Sequence, residues 1–157
     1  MEENTKYRQA LIKAMALCSR SERCRSEIVF RLKQWDLSEY EIIEALDYLF
    51  KERYLDEERF VRFYVNDKLR FNHWGKIKMA FMLRQKQIPE NIIHEVLNQI
   101  DQDLYTMTLR NLLASKAKSI KGGQSYEQRG RLALFGQGHG FEAELTYRIA
   151  GELIPDN

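Results

Sequence analysis

A chain of 157 residues, 44% hydrophobic and 31% charged, can bury roughly 68–70% of the surface its unfolded form exposes, so it needs no metal or disulfide staple to hold a core. No apolar run approaches the ~20 residues that span a bilayer, Met1-Glu2-Glu3-Asn4 lacks signal-peptide character, and two cysteines without a signal point to a reducing, cytoplasmic setting. Two prolines and eight glycines are too few for an all-β fold of tight turns, and a net charge of +2 says little about partners until its distribution is read.

Apolar spacing predicts an all-α chain. A first helix is expected from about Thr5 to Cys18, with Leu11, Ala14, Met15 and Cys18 on one face. Ser19 and Glu22 form an S-x-x-E capping box expected to open the second, which carries Ile28, Val29, Leu32 and Trp35. Ser38 and Glu41 form another box ahead of Ile42, Ala45, Leu46, Leu49 and Phe50. Asp56 is placed to cap a fourth helix, with Glu57 and Glu58 in its first turn and Phe60, Val61, Tyr64, Val65 and Phe71 facing one way. Asn72 to Gly75 breaks the pattern. A fifth helix follows with Ile77, Ala80, Phe81 and Leu83, then a sixth with Pro89 in its first turn and Ile92, Ile93, Val96, Leu97 and Ile100 behind it. The seventh runs from about Leu104 to Ala117 and gives way to Gly122-Gly123. Ser125 and Gln128 form a third possible box for the eighth, and Gly136, Gly138 and Gly140 interrupt before a ninth with Leu145, Ile149 and Leu153. No segment reads as a strand.

A repeat of about 50 residues organises these helices. Leu37-Ser38-Glu39-Tyr40-Glu41-Ile42 matches Ile88-Pro89-Glu90-Asn91-Ile92-Ile93. Each segment follows a Leu five residues earlier, Leu32 and Leu83. Phe141 occupies the same place in a third copy, where Gly136 stands in for the Leu. The expectation is three tandem three-helix units, 1–54, 55–102 and 103–157, stacked as modules that bury their faces on one another.

Chemistry is sparse. Cys18, Cys24, His73, His94 and His139 lack the close pairs of a zinc site. Gly136-x-Gly138-x-Gly140 follows a helix instead of the strand a phosphate loop requires. No carboxylate pair stands out as an acid/base couple. No catalytic site, cofactor, metal or small-molecule substrate is expected.

Charge is more informative. Asp36 to Glu58 holds nine acidic and two basic residues, whereas Arg59 to Lys86 holds eight basic and one acidic, Asp67. Either these are solvated faces of mixed sign, or they form a positive stripe for an anionic partner. Arg59, Arg62, Asn66 and Arg70 fall in one sector of the fourth helix, flanked by Phe63. Lys76, Lys78, Arg84 and Lys86 widen the positive region along the fifth. Arg20, Arg23, Arg25, Arg31 and Lys33 hold the equivalent part of the first unit, and Arg129 and Arg131 that of the third.

Tyr54-Leu55-Asp56-Glu57-Glu58-Arg59-Phe60-Val61, followed by Val65 and Lys68, resembles the central motif of the RecX family of recombinase regulators. Gly75-Lys76-Ile77, Leu83 and Lys86-Gln87-Ile88 are similar to its next signature, with Gln87 in place of the usual Gly and Val61 in place of Ala. Ser26-Glu27-Ile28 with Leu32 and Leu37 is similar to the first-unit signature. The resemblance is densest over the middle third and thin after Ile120. It implies three tandem three-helix units in an elongated, curved array. It further implies a non-enzymatic protein that binds the RecA–DNA filament, limits recombinase, ATPase and co-protease activity, and contacts single-stranded and in some members double-stranded DNA.

Motif and charge pattern together nominate Arg59, Arg62, Lys68, Arg70, Lys76 and Lys78 as binding residues, with Arg84, Lys86, Arg25 and Arg31 beside them. Asp56, Phe60, Gly75, Ile77, Leu83 and Ile88 are expected to be structural. The rival reading is a general DNA-binding helical protein of helix-turn-helix type. It needs a recognition helix with base readers, and the fifth helix offers only Arg84 and Gln85 for that role.

Overall fold

The structure, a computed structural model, describes residues 2–156, with side chains from Asn4 onward. Its described residues form nine α-helices and one π-helical segment, with no strand: α1 Glu2–Arg20, α2 Arg25–Gln34, α3 Glu39–Lys51, α4 Glu57–Asp67, the π segment Lys68–Asn72, α5 Lys76–Gln85, α6 Glu90–Asn98, α7 Gln102–Ala117, α8 Ser125–Gly138 and α9 Ala143–Leu153. The all-α expectation is met.

Two caps act as the spacing foretold. The Ser38 hydroxyl accepts from Glu41 N–H at 3.2 Å while the Glu41 carboxylate accepts from Ser38 N–H at 2.9 Å. Asp56 accepts from Arg59 N–H at 3.0 Å. The other two boxes fail. α1 continues through Arg20, and the Ser19 hydroxyl bonds back to the Met15 carbonyl at 2.9 Å, so it is spent inside the helix. α2 starts instead behind Cys24, whose N–H donates to the Glu27 carboxylate at 3.1 Å. Ser125 is the first residue of α8, not its cap, and Gln128 reaches the Gly122 carbonyl instead. Pro89 sits one position earlier than expected, at the cap of α6.

Three further expectations are corrected. Phe71 is exposed and Leu69 is buried in its stead. The π segment places more residues per turn than an α-helix and rotates the apolar face out of step with α4. On α5, Ile77 and Phe81 point outward while Met79, Ala80 and Leu83 are buried. Both sets recur at helical spacing, so period alone cannot choose between them. Gly136 and Gly138 do not interrupt anything, because α8 runs through both. A Cβ on Gly136 would lie 2.7 Å from Thr146 Cγ2. The leucine of the other units is missing here because α8 and α9 approach too closely to hold it.

The repeat is visible atom by atom at the end of each second helix. Leu37 N–H donates to the Leu32 carbonyl, Ile88 N–H to Leu83 and Phe141 N–H to Gly136, at 3.2, 3.2 and 3.1 Å. The preceding residues, Asp36, Gln87 and Gly140, all have positive φ, at 61°, 62° and 93°. This is the Schellman stop written three times, with glycine in only one copy. A side chain in the left-handed region costs about 1 kcal/mol. Gln87→Gly is therefore expected to raise stability by about that amount, read as a higher urea midpoint at unchanged m-value.

Three buried clusters follow the three-unit order. The first gathers Ala10, Ala14, Ile28, Leu32, Leu46 and Leu49 with their neighbours. The second gathers Phe60, Val61, Val65, Met79, Leu83 and Ile93 and also takes in Cys24 from the foot of α2. The third, around Tyr105, Leu109, Leu113 and Phe141, takes in Leu69 from the π segment. The accessible surface is 9988 Å². A compact monomer of 18.7 kDa exposes about 8,300 Å², so the array is more open than a globule of its mass.

Candidate interaction surface

Two junctions hold the array. Between the first and second units, Arg59 donates to Glu22 at 2.7 Å and to the Arg53 and Tyr54 carbonyls at 3.2 and 3.3 Å. Lys86 pairs with Glu27 at 3.3 Å. Arg25 N–H donates to Glu57 at 2.7 Å, and burial pushes the Glu57 carboxyl above its ordinary range.

Between the second and third units, the open end of α5 is closed by the other unit. Gly75 N–H donates to the His139 carbonyl at 2.8 Å, Ile77 N–H to the Gly140 carbonyl at 3.0 Å and Lys76 N–H to the Tyr105 hydroxyl at 2.9 Å. A helix start leaves such donors unsatisfied unless something caps them. Here the turn between α8 and α9 does so. Tyr105, fully buried, passes its own proton to a hydrogen bond with Glu142.

Burial, then the Glu142 carboxylate, push the Tyr105 hydroxyl well above the ordinary tyrosine value of 10.0. The unfolded chain loses this proton near pH 10 while the folded chain keeps it, so the unfolded state binds fewer protons and stability falls as pH rises above 10. The loss from this group grows with each pH unit beyond 10. Tyr105→Phe is expected to cost about 2 kcal/mol at pH 7, since it strands the Lys76 N–H, and to flatten the alkaline loss measured by denaturant titration between pH 9 and 11.

These contacts sort the nominated cations. Four are engaged by carboxylates: Arg59 by Glu22, Arg62 by Glu58 at 2.6 Å, Arg84 by Glu90 at 3.3 Å and Lys86 by Glu27. Arg59 and Lys86 thereby serve the first junction. Arg25 flanks that junction, and Arg31 stands exposed on α2.

Of the remaining four, Lys68, Lys76 and Lys78 gather at the second junction. Lys68 lies over the Tyr64 and Trp74 rings, 5.5 and 5.2 Å from their centroids. Lys78 lies over the same Trp74 at 4.6 Å, and Lys76 over Tyr105 at 4.8 Å. Arg70 is exposed beside Phe71, which is 75% exposed. Asp67, 3.9 Å from Lys68, is the one carboxylate paired with this group among the described residues. Cations resting on ring faces are held in place without being neutralised. The result is a preorganised positive cluster with aromatic floors, suited to phosphate or to an acidic protein face.

Sequence reasoning named these cations and missed the rings beneath Lys68, Lys76 and Lys78. Tyr64 with Lys68 and Trp74 with Lys78 stand four residues apart, a spacing that brings side chains together on a helix. Lys76 over Tyr105 joins separate units and leaves no local signal. Of the six residues expected to be structural, Asp56 caps α4, Phe60, Leu83 and Ile88 are buried, and Gly75 meets the Gly140 backbone. Ile77 contributes its backbone N–H, its side chain being 57% exposed. No group of His, Cys, Asp and Glu among the described residues could hold a metal ion, and no described helix is long and apolar enough to cross a membrane.

Fold and surface define the class first: a helical-repeat protein of three-helix modules with a charged junction between them. The sequence model for "RecX, second three-helix domain" matches residues 56–97. The chain is 29% identical over 136 residues to the regulatory protein RecX of Chlorobium limicola, covering 85% of this chain and 82% of that one. It is 28% identical to that of Prosthecochloris aestuarii, covering 94% and 95%. The crystal structure of RecX from Lactobacillus salivarius superposes with a TM-score of 0.87 at 19% identity, over 96% of this chain and 97% of that one. The chain is thus similar to RecX regulatory proteins over most of its length, and residues 56–97 match that family's second three-helix domain.

Proposed function

We propose that this chain is a cytoplasmic, non-enzymatic regulator that binds the RecA–DNA filament and restrains its recombinase, ATPase and co-protease activities. The observation that carries this beyond likeness to RecX proteins is the ring-held cluster of Lys68, Lys76 and Lys78, with Arg70 exposed nearby in sequence. It sits at a junction of an open array, where a long anionic partner can run past more than one unit. The three units, 1–54, 55–102 and 103–157, act in this reading as successive contact modules along the filament. The helix-turn-helix alternative is weaker, because Arg84, the base reader it requires on α5, is engaged by Glu90.

The test is the ATPase of RecA on single-stranded DNA, titrated with this protein, with pelleting of the filament. Inhibition with co-pelleting at far less than one molecule per RecA is the expected result. No inhibition and no co-pelleting, with tight binding to bare duplex, would replace this reading with general DNA binding.

A further inference from the structure

Aligning the three units on their Schellman stops puts one more set of residues in register. Phe30, Phe81 and Leu134 each lie two residues before the position of Leu32, Leu83 and Gly136. Large apolar side chains at equivalent places in a repeat are ordinarily core. These are 61%, 56% and 65% exposed. Each has a cation three residues away in sequence: Lys33 after Phe30, Lys78 before Phe81, its ammonium over Trp74, and Arg131 before Leu134. None of these three cations is held by a carboxylate among the described residues. Phe30 also stands between two surface concavities, of about 510 and 370 Å³, that reach Gln85, Lys86 and Gln87 at the end of α5.

We propose that these second helices form a three-rung docking ladder for the protein surface of a filament, each rung placing an apolar anchor in an acid-rimmed pocket that recurs from protomer to protomer. This rests on the filament-binding reading and names the face that executes it. An apolar anchor with a cation at its side fits a pocket with acidic edges. The repetition fits a partner that is itself repetitive, because three equal weak contacts gain through effective concentration only where three equal sites are presented. Leu134 argues for protein over nucleic acid: base stacking needs a ring, which Leu lacks, whereas a pocket takes Leu and Phe alike.

The experiment uses the full chain with RecA filaments on single-stranded DNA and, in parallel, the bare DNA. Phe30→Ala, Phe81→Ala and Leu134→Ala remove exposed atoms and should melt within a few degrees of the parent. Each is expected to weaken filament binding about fivefold or more, and the triple variant by about 100-fold or more, with bare DNA binding unchanged. Phe30→Leu with Phe81→Leu is expected to keep filament binding within about threefold, as a pocket permits. Normal filament binding by the triple alanine variant overturns the ladder and leaves the regulator reading standing. Equal losses on bare DNA, or loss in the leucine variant, overturn it in favour of base stacking. Failure of the parent protein to bind filaments removes the regulator reading and the ladder together.

Discussion

Gly75→Ala is expected to destabilise the protein by about 3 kcal/mol and to free the third unit for proteolysis. The backbone of Gly75 has φ −85° and ψ 174°, which alanine adopts without strain, so the cost lies elsewhere. A Cβ there would lie 2.4 Å from the carbonyl carbon and oxygen of Gly140 and from the nitrogen of Phe141. These are backbone atoms and cannot rotate aside. Relief requires the second and third units to separate, which breaks the bonds from Gly75 and Ile77 to His139 and Gly140 and reopens the start of α5. Overpacking ordinarily costs 1–3 kcal/mol, and the lost helix caps place this case at the top of that range. Gly138→Ala is the control. It lies within α8 with nothing within 4 Å of its Cβ position, and is expected to be neutral or to stabilise by up to about 1 kcal/mol. Thermal unfolding with limited proteolysis distinguishes the two. A benign Gly75→Ala would mean that the junction is looser than its hydrogen bonds indicate.

The largest functional effect is expected from reversing the cations that rest on rings. Lys68→Glu, Lys76→Glu and Lys78→Glu together should lower filament affinity about 100-fold, since like charges brought face to face across an interface cost several kcal/mol. Reversal of Arg62 and Arg84 should cost less than about threefold, because Glu58 and Glu90 already offset them. On sequence spacing alone all five are equivalent positive charges. The contrast between the two sets therefore tests the contact geometry separately from net charge. Anisotropy titrations at two salt concentrations read both, and the triple variant should also lose most of the salt dependence. Equal losses from the two sets would mean that only overall charge matters.

What could be read from the residues divides along physical lines. Helix order, the repeat and the caps at Ser38 and Asp56 were legible, because each depends on residues within a turn or two of one another. The boxes at Ser19 and Ser125 misled, since a hydroxyl inside a continuing helix can bond its own backbone and since Gln128 had a carbonyl to reach. The outward face of α5 was hidden because Ile77 with Phe81 and Met79 with Leu83 share one period. The cations themselves were legible as a run of positive charge along the chain. Their division into engaged and ring-held sets was not, because Glu22 and Arg59, Glu27 and Lys86, and Tyr105 and Lys76 meet only after separate units dock.

The way the buried clusters interlock governs which parts of the molecule can open. The second cluster reaches back to Cys24 and the third reaches back to Leu69, with Ile100 packed against both. Fraying of the first unit pulls Cys24 from the middle cluster, opening of the third uncovers Leu69, and the middle unit, coupled to both, has the most to lose on loosening. The slowest-exchanging amides are therefore expected in the centre and the fastest in the two terminal units, the wings of the array. A partner whose pitch varies would be followed by the wings while the central charged junction held its shape.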